Sequence, residues 1–90
     1  MSLTPIADLL ASVARRYAMT AEEIRAHDAE PRVVEARHVA MYLAHFHLGK
    51  SKAEVARRFG RDHSTVCHAI RKVRANPELM SIAANIAVQA

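Results

Sequence analysis

SKAEVARRFGRDHSTVCHAIRKVR, residues 51–74, reads as a helix, a tight turn and a second helix. Ser51 and Glu54 stand in the S-x-x-E register of a capping box, so the first helix is predicted to open at about Lys52. Val55, Ala56 and Phe59 give it one apolar side. Gly60 can take a positive φ without steric cost, which suits a sharp reversal. Asp62 is a good N-cap for the second helix. There Val66, Ala69, Ile70 and Val73 recur at i, i+3, i+4 and i+7, along one helical face. Ser64, Thr65, His68, Arg71 and Lys72 fall on roughly the opposite face. One face suits a core, and the other carries only hydrogen-bonding and cationic groups. That division is what a helix entering the DNA major groove requires.

Charge points the same way. Residues 50–74 hold eight basic side chains (Lys50, Lys52, Arg57, Arg58, Arg61, Arg71, Lys72, Arg74) against Glu54 and Asp62, a balance of +6. The rest of the chain holds five basic and seven acidic residues, so the whole net charge of +4 originates in this stretch. A local positive field is the footprint of a polyanionic partner. A charge run alone would also fit a solvated basic helix pair; the cap, the turn and the two-faced second helix argue against that reading.

The motif meets a known family. GRDHSTVCHAIRKV, with VARRF before it, resembles the signature of the C-terminal DNA-binding domain of the bacterial chromosomal replication initiator DnaA. ARHVAMYLA, Ala36–Ala44, resembles the helix preceding that signature, and VARRY followed by TAEEI resembles the opening helices. The resemblance implies an all-α fold, a small bundle of five or six helices containing a Trp-repressor-like helix-turn-helix, spanning residues 1–90 as one domain. It implies binding to double-stranded DNA, with Asp62, His63 and Ser64 reading base edges and Thr65 and His68 on phosphate. Lys52 and Ala53 sit where the family's preceding helix meets the DNA backbone. Arg37 and His38 occupy the place of an Arg-Gln pair that meets phosphate. On charge grounds Arg57, Arg58, Arg61, Arg71 and Lys72 are further phosphate candidates.

Three departures stand out. The family turn commonly reads Phe-Gly-Gly-Arg-Asp-His, whereas this chain has Phe59-Gly60-Arg61-Asp62-His63, one glycine shorter. Ser64 replaces a common threonine and loses a methyl that could pack on a thymine methyl. The segment before the central helix, where the family places a basic minor-groove arm, is His27-Asp28-Ala29-Glu30-Pro31-Arg32, with Arg32 its one full cation.

Composition excludes much else. The 90 residues make one small domain, and 51% hydrophobic content with only 4% aromatics suits packed helices better than a sheet. With Gly49 and Gly60 the only glycines, neither a P-loop nor a G-x-G-x-x-G fingerprint can be written, so the family's ATPase module is not expected here. There is no apolar run of membrane-spanning length and no signal-peptide pattern, and one cysteine cannot form an internal disulfide. These features favour the cytoplasm and no membrane partner.

Outside the motif, Thr4-Pro5 is expected to cap a first helix whose apolar face is Ile6, Leu9, Leu10, Val13 and Tyr17. Thr20 and Glu23 form a second capping box, opening a short helix that closes the back of the core. Val33–Leu48 reads as the long central helix, burying Ala36, Val39, Ala40, Leu43 and Phe46 or His47, with Gly49 ending it. Asn76-Pro77 opens a last helix, whose Leu79, Ile82, Ala83 and Ile86 are expected to pack on the first helix or to offer a homodimer surface.

Rival functions are weaker. Six histidines invite a metal hypothesis, but none pair at His-x-x-x-His spacing and no Cys-x-x-Cys exists, so no metal or other cofactor is expected. Cys67 and His68 are neighbours that point about 100° apart on a helix, which disfavours a catalytic pair. No cluster of carboxylates suits a metal-dependent nuclease. An enzyme is therefore not expected. A small protein-binding adaptor acting through the last helix is the main alternative, and salt-dependent DNA retardation separates it from a DNA binder.

Overall fold

The computed structural model describes residues 5–89. It contains six helices, α1 Pro5–Tyr17, α2 Ala21–Arg25, α3 Pro31–Phe46, α4 Lys52–Phe59, α5 His63–Arg74 and α6 Pro77–Gln89, and no strand among the described residues. The expected cap at Thr4 lies outside the described residues. None of these helices is long and apolar enough to cross a membrane.

α3 is the hub on which the other five helices are assembled. It buries Val33, Ala36, Val39, Ala40, Met41, Leu43 and Ala44, and so is covered nearly all round, as an apolar helix at the centre of a bundle must be. α5 seats Val66, Ala69, Ile70 and Val73 against it, all four buried as the spacing predicts. Burial of Val66, Ile70 and Val73 contributes about 1.5–3 kcal/mol each, so the inner face of α5 is a strong clamp for its outer face. α4 closes the corner with Val55, Ala56 and Phe59.

The central helix differs from expectation at both ends. It starts two residues earlier, because Pro31 takes the first helical position and the Glu30 carboxylate accepts from the amides of Arg32 and Val33. It stops at Phe46, so neither Phe46 nor His47 lines the buried stripe; Phe46 is 49% exposed. Its ring rests on Tyr42, with centroids 4.9 Å apart, and under the Arg74 guanidinium at 5.7 Å. His45 Nδ1 donates to the Lys50 carbonyl at 2.7 Å and closes the α3–α4 turn, since a carbonyl can only accept.

The helix ends follow local chemistry. Thr20 and Glu23 form the full reciprocal capping box. At α4 only half of the expected box is made: Ser51 accepts from the Glu54 amide, while the Glu54 carboxylate turns to Arg58 at 3.9 Å. Asn76 caps α6 by accepting from the amides of Glu78 and Leu79. Leu79, Ala83 and Ile86 are then buried on α5, α3 and α1. The apolar strip of α6 is therefore largely spent inside the molecule, leaving half-buried Met80, Ile82 and Ala87 and exposed Val88 on its flank.

Candidate nucleic-acid interface

The turn between α4 and α5 presents the candidate site. Gly60 adopts φ 63° and ψ 39°, the left-handed conformation that glycine takes without strain. Its amide donates to the Arg57 carbonyl at 3.2 Å and the Arg61 amide donates to the Ala56 carbonyl at 2.9 Å, a complete Schellman closure. One glycine is thus enough, and only Arg61 and Asp62 separate it from α5. Asp62 occupies the N-cap position with extended backbone, but its side chain makes no capping hydrogen bond. Its exposed carboxylate is left over for another partner.

His63 and Ser64 are exposed beside Asp62 at the free end of α5, and Thr65 is half-buried behind them. His68, Arg71 and Lys72 continue the exposed face, while half-buried Lys52 and exposed Ala53 stand at the start of α4. Among the described residues, Arg71 and Lys72 enter no ion pair. His38 on α3 meets His68 across the helix crossing, edge to face, with ring centroids 5.7 Å apart. Burial, with the like charges of His68, Arg37 and Lys72 nearby, lowers the His38 imidazole to about 4. His38 is therefore neutral at physiological pH and offers an N–H rather than a charge.

Sequence spacing missed one contact in this row. Cys67 Sγ lies 3.6 Å from His63 Nδ1, one helical turn away, so the thiol restrains the ring of His63 and not that of its sequence neighbour His68. The i, i+4 spacing was the available signal.

Two cations expected on phosphate are committed elsewhere. Arg37 is only 7% exposed, and its guanidinium is aimed inward. Nε donates to the Ile24 carbonyl at 2.7 Å, and Nη2 donates to the carbonyls of Ala26 at 2.5 Å and Asp28 at 3.1 Å. Burial and the Arg61 charge lower its pKa, opposed by Asp28. Arg61 is likewise engaged, donating to the carbonyls of Phe59, Ala26 and Arg25. Neither arginine is the free phosphate-seeking side chain expected, Arg37 from the family resemblance and Arg61 from charge.

The acidic connector also has structural duties. Asp28 accepts from the Glu30 amide at 2.9 Å, and Glu30 caps α3. Arg32 donates to the Tyr17 carbonyl at the end of α1. The Tyr17 hydroxyl in turn donates to Glu35 at 2.6 Å, and burial followed by that carboxylate raises the Tyr17 pKa. Ala29 and Pro31 line a groove shared with His38 and with Lys72 and Ala75 at the C-terminal end of α5. The one cation of this segment is thus tethered to α1.

Two short helices joined by a glycine turn, the second with its apolar side on a central helix and its polar side free, define a helix-turn-helix domain. The chain belongs to the family described as the bacterial DnaA protein helix-turn-helix, whose family model matches residues 6–73. It is 41% identical over 75 residues to the chromosomal replication initiator protein DnaA of Streptococcus thermophilus, covering 82% of this chain and 16% of that protein. The protein of the same name from Streptococcus pyogenes is 40% identical over 75 residues, covering 82% of this chain and 17% of the relative. The chain therefore spans about a sixth of the length of these curated relatives. A solved structure titled as a DNA replication initiation factor superposes with a TM-score of 0.84 at 34% identity, covering 93% of this chain and 27% of the other.

Proposed function

We propose that this domain binds double-stranded DNA with sequence preference, inserting the start of α5 into the major groove, in replication initiation or its regulation or at a promoter. The observation that carries the reading is the outward face of α5, where an uncapped Asp62 carboxylate, His63 and Ser64 project together from a helix whose opposite face is locked in the core. Asp62, His63 and Ser64 read base edges. Lys52, Ala53, Thr65, His68, Arg71 and Lys72 hold phosphate, with neutral His38 donating a hydrogen bond beside them. Arg57 and Arg58 are exposed and extend the positive surface along α4. No catalysis and no cofactor are assigned to these residues.

With Arg37 and Arg61 withdrawn and Arg58 paired with Glu54, Lys52, Arg57, Arg71 and Lys72 remain to neutralise phosphate, which sets a slope of log K against log salt near −3.6, at about −0.9 per phosphate. Fluorescence anisotropy on labelled duplexes between low and moderate salt measures it. Lys72→Ala is expected to weaken all sequences alike and make the slope shallower by about 0.9. Binding that is flat across this salt range sinks the proposal in favour of a protein-binding adaptor.

A further inference from the structure

A helix end leaves its last carbonyls without donors from its own backbone. At the end of α2 this need is met by two arginines from other parts of the fold. Arg37 of α3 takes the carbonyls of Ile24 and Ala26. Arg61, the single residue between Gly60 and Asp62, takes those of Arg25 at 3.3 Å and Ala26 at 2.7 Å, while also donating to Phe59 at 2.8 Å in its own turn. The Ala26 carbonyl is shared by both guanidinium groups. Arg25 returns the contact, donating to the Arg58 carbonyl near the end of α4 at 3.2 Å. Two like charges tolerate this proximity because the C-terminal end of a helix is the negative end of its dipole.

From this convergence we propose that Arg61 is a positioning residue for sequence discrimination: it docks the helix-turn-helix turn onto the end of α2 and so fixes how Asp62, His63 and Ser64 meet the base edges. The inference rests on the DNA-binding reading above. Its physical content is a difference in tolerance. Base-edge hydrogen bonds need their donors and acceptors held to about 0.5 Å and 10–20°, whereas phosphate contacts by flexible side chains tolerate larger shifts. Only Arg61 and Asp62 separate the left-handed Gly60 from the first helical residue of α5, so a loosened Arg61 acts directly on the reading end. Discrimination should fall further than overall affinity.

The test compares wild type, Arg61→Gln and Arg61→Lys on two duplexes, one selected by the wild type from a randomised pool and one scrambled, across a salt series. Arg61→Gln is expected to lower the ratio of selected to scrambled binding about tenfold and to leave the salt slope unchanged. Arg61→Lys is expected not to restore the ratio, because an ammonium cannot reproduce a fork over three carbonyls. Amide exchange without DNA should quicken at both the α2 end and the turn in each variant. A shallower slope by about 0.9 with equal loss on both duplexes would make Arg61 an ordinary phosphate contact and overturn the proposal. Full rescue by lysine overturns it too. If Arg61→Gln is unfolded by circular dichroism, the lysine variant and its exchange pattern decide. A wild type that shows no salt-dependent binding condemns the DNA reading itself, and the proposal with it.

Discussion

Replacing Arg37 by Met separates a structural arginine from a DNA-contacting one. Methionine keeps an unbranched stem in the same passage through the core and removes three donated hydrogen bonds, to Ile24, Ala26 and Asp28. A hydrogen bond from a charged donor contributes a net 1.5–3 kcal/mol or so, but the three carbonyls do not lose equally. Ala26 keeps Arg61 as a partner, and the bonds to Ala26 and Asp28 are only partly buried, so water can replace the guanidinium there. The bond to Ile24 is buried and its carbonyl is left without the guanidinium. We therefore expect a loss of about 2–3 kcal/mol, from a total of about 5–10 kcal/mol for a domain of this size. That corresponds to a fall in Tm of about 10–20 °C. Urea unfolding followed by helical circular dichroism measures it, and DNA titration below the lowered Tm completes the test. Wild-type affinity and salt slope should then be largely retained. An unchanged unfolding midpoint together with a slope shallower by about 0.9 would falsify the buried role and return Arg37 to the phosphate backbone.

The remaining predictions address single positions. His63→Ala should abolish discrimination worth about 1–3 kcal/mol at one base pair while non-specific binding and the salt slope persist; loss that is uniform over all substituted sites would remove His63 from the readers. The folded-state pKa of His38 is depressed to about 4 from an ordinary value of 6.5, so the unfolded chain binds the proton more readily. Stability from this group is complete above about pH 6.5 and is lost as pH falls through 4, by about 1 kcal/mol at pH 5 after discounting for solvent screening. His38→Gln should flatten that part of the stability–pH curve, and an unaltered curve rejects the assignment. Ala18 closes α1 at φ 55°, a conformation that suits glycine. Ala18→Gly should relieve about 1 kcal/mol of strain, offset in part by the greater freedom of glycine in the unfolded chain. The net gain is therefore several tenths of a kcal/mol, and a lower Tm for the variant contradicts it.

The helices and the two faces of α5, one apolar and one polar, were legible in the sequence because both depend on spacing within a few residues. Val66, Ala69, Ile70 and Val73 announced the inner face of α5, and the structure buries all four. Thr20–Glu23, Ser51 and Asn76 announced helix starts through side chains that reach only two or three residues along the chain. The GRDHSTVCHAIRKV signature pointed to the family, to which residues 6–73 belong.

The jobs of the arginines were not legible, and the reason is physical. A guanidinium on a long flexible stem takes whichever acceptors lie within reach, and reach is a property of the assembled fold. Sequence placed Arg61 within a positive stretch and Arg37 at the family's phosphate-meeting pair, and no more. Only the packing of α2 against α3 and the α4–α5 turn brought the free carbonyls of Ile24, Arg25 and Ala26 into range, across 11 to 36 residues of chain. In the same way Asp28 and Glu30 read as misplaced charge in an expected basic arm, yet fold into an α3 cap that proline at position 31 makes favourable. Local periodicity thus determined most of the apolar faces, and capping residues marked the starts of α2, α4 and α6. Tertiary structure decided which charges remain free, because a helix end exposes carbonyls whose donors the sequence does not name.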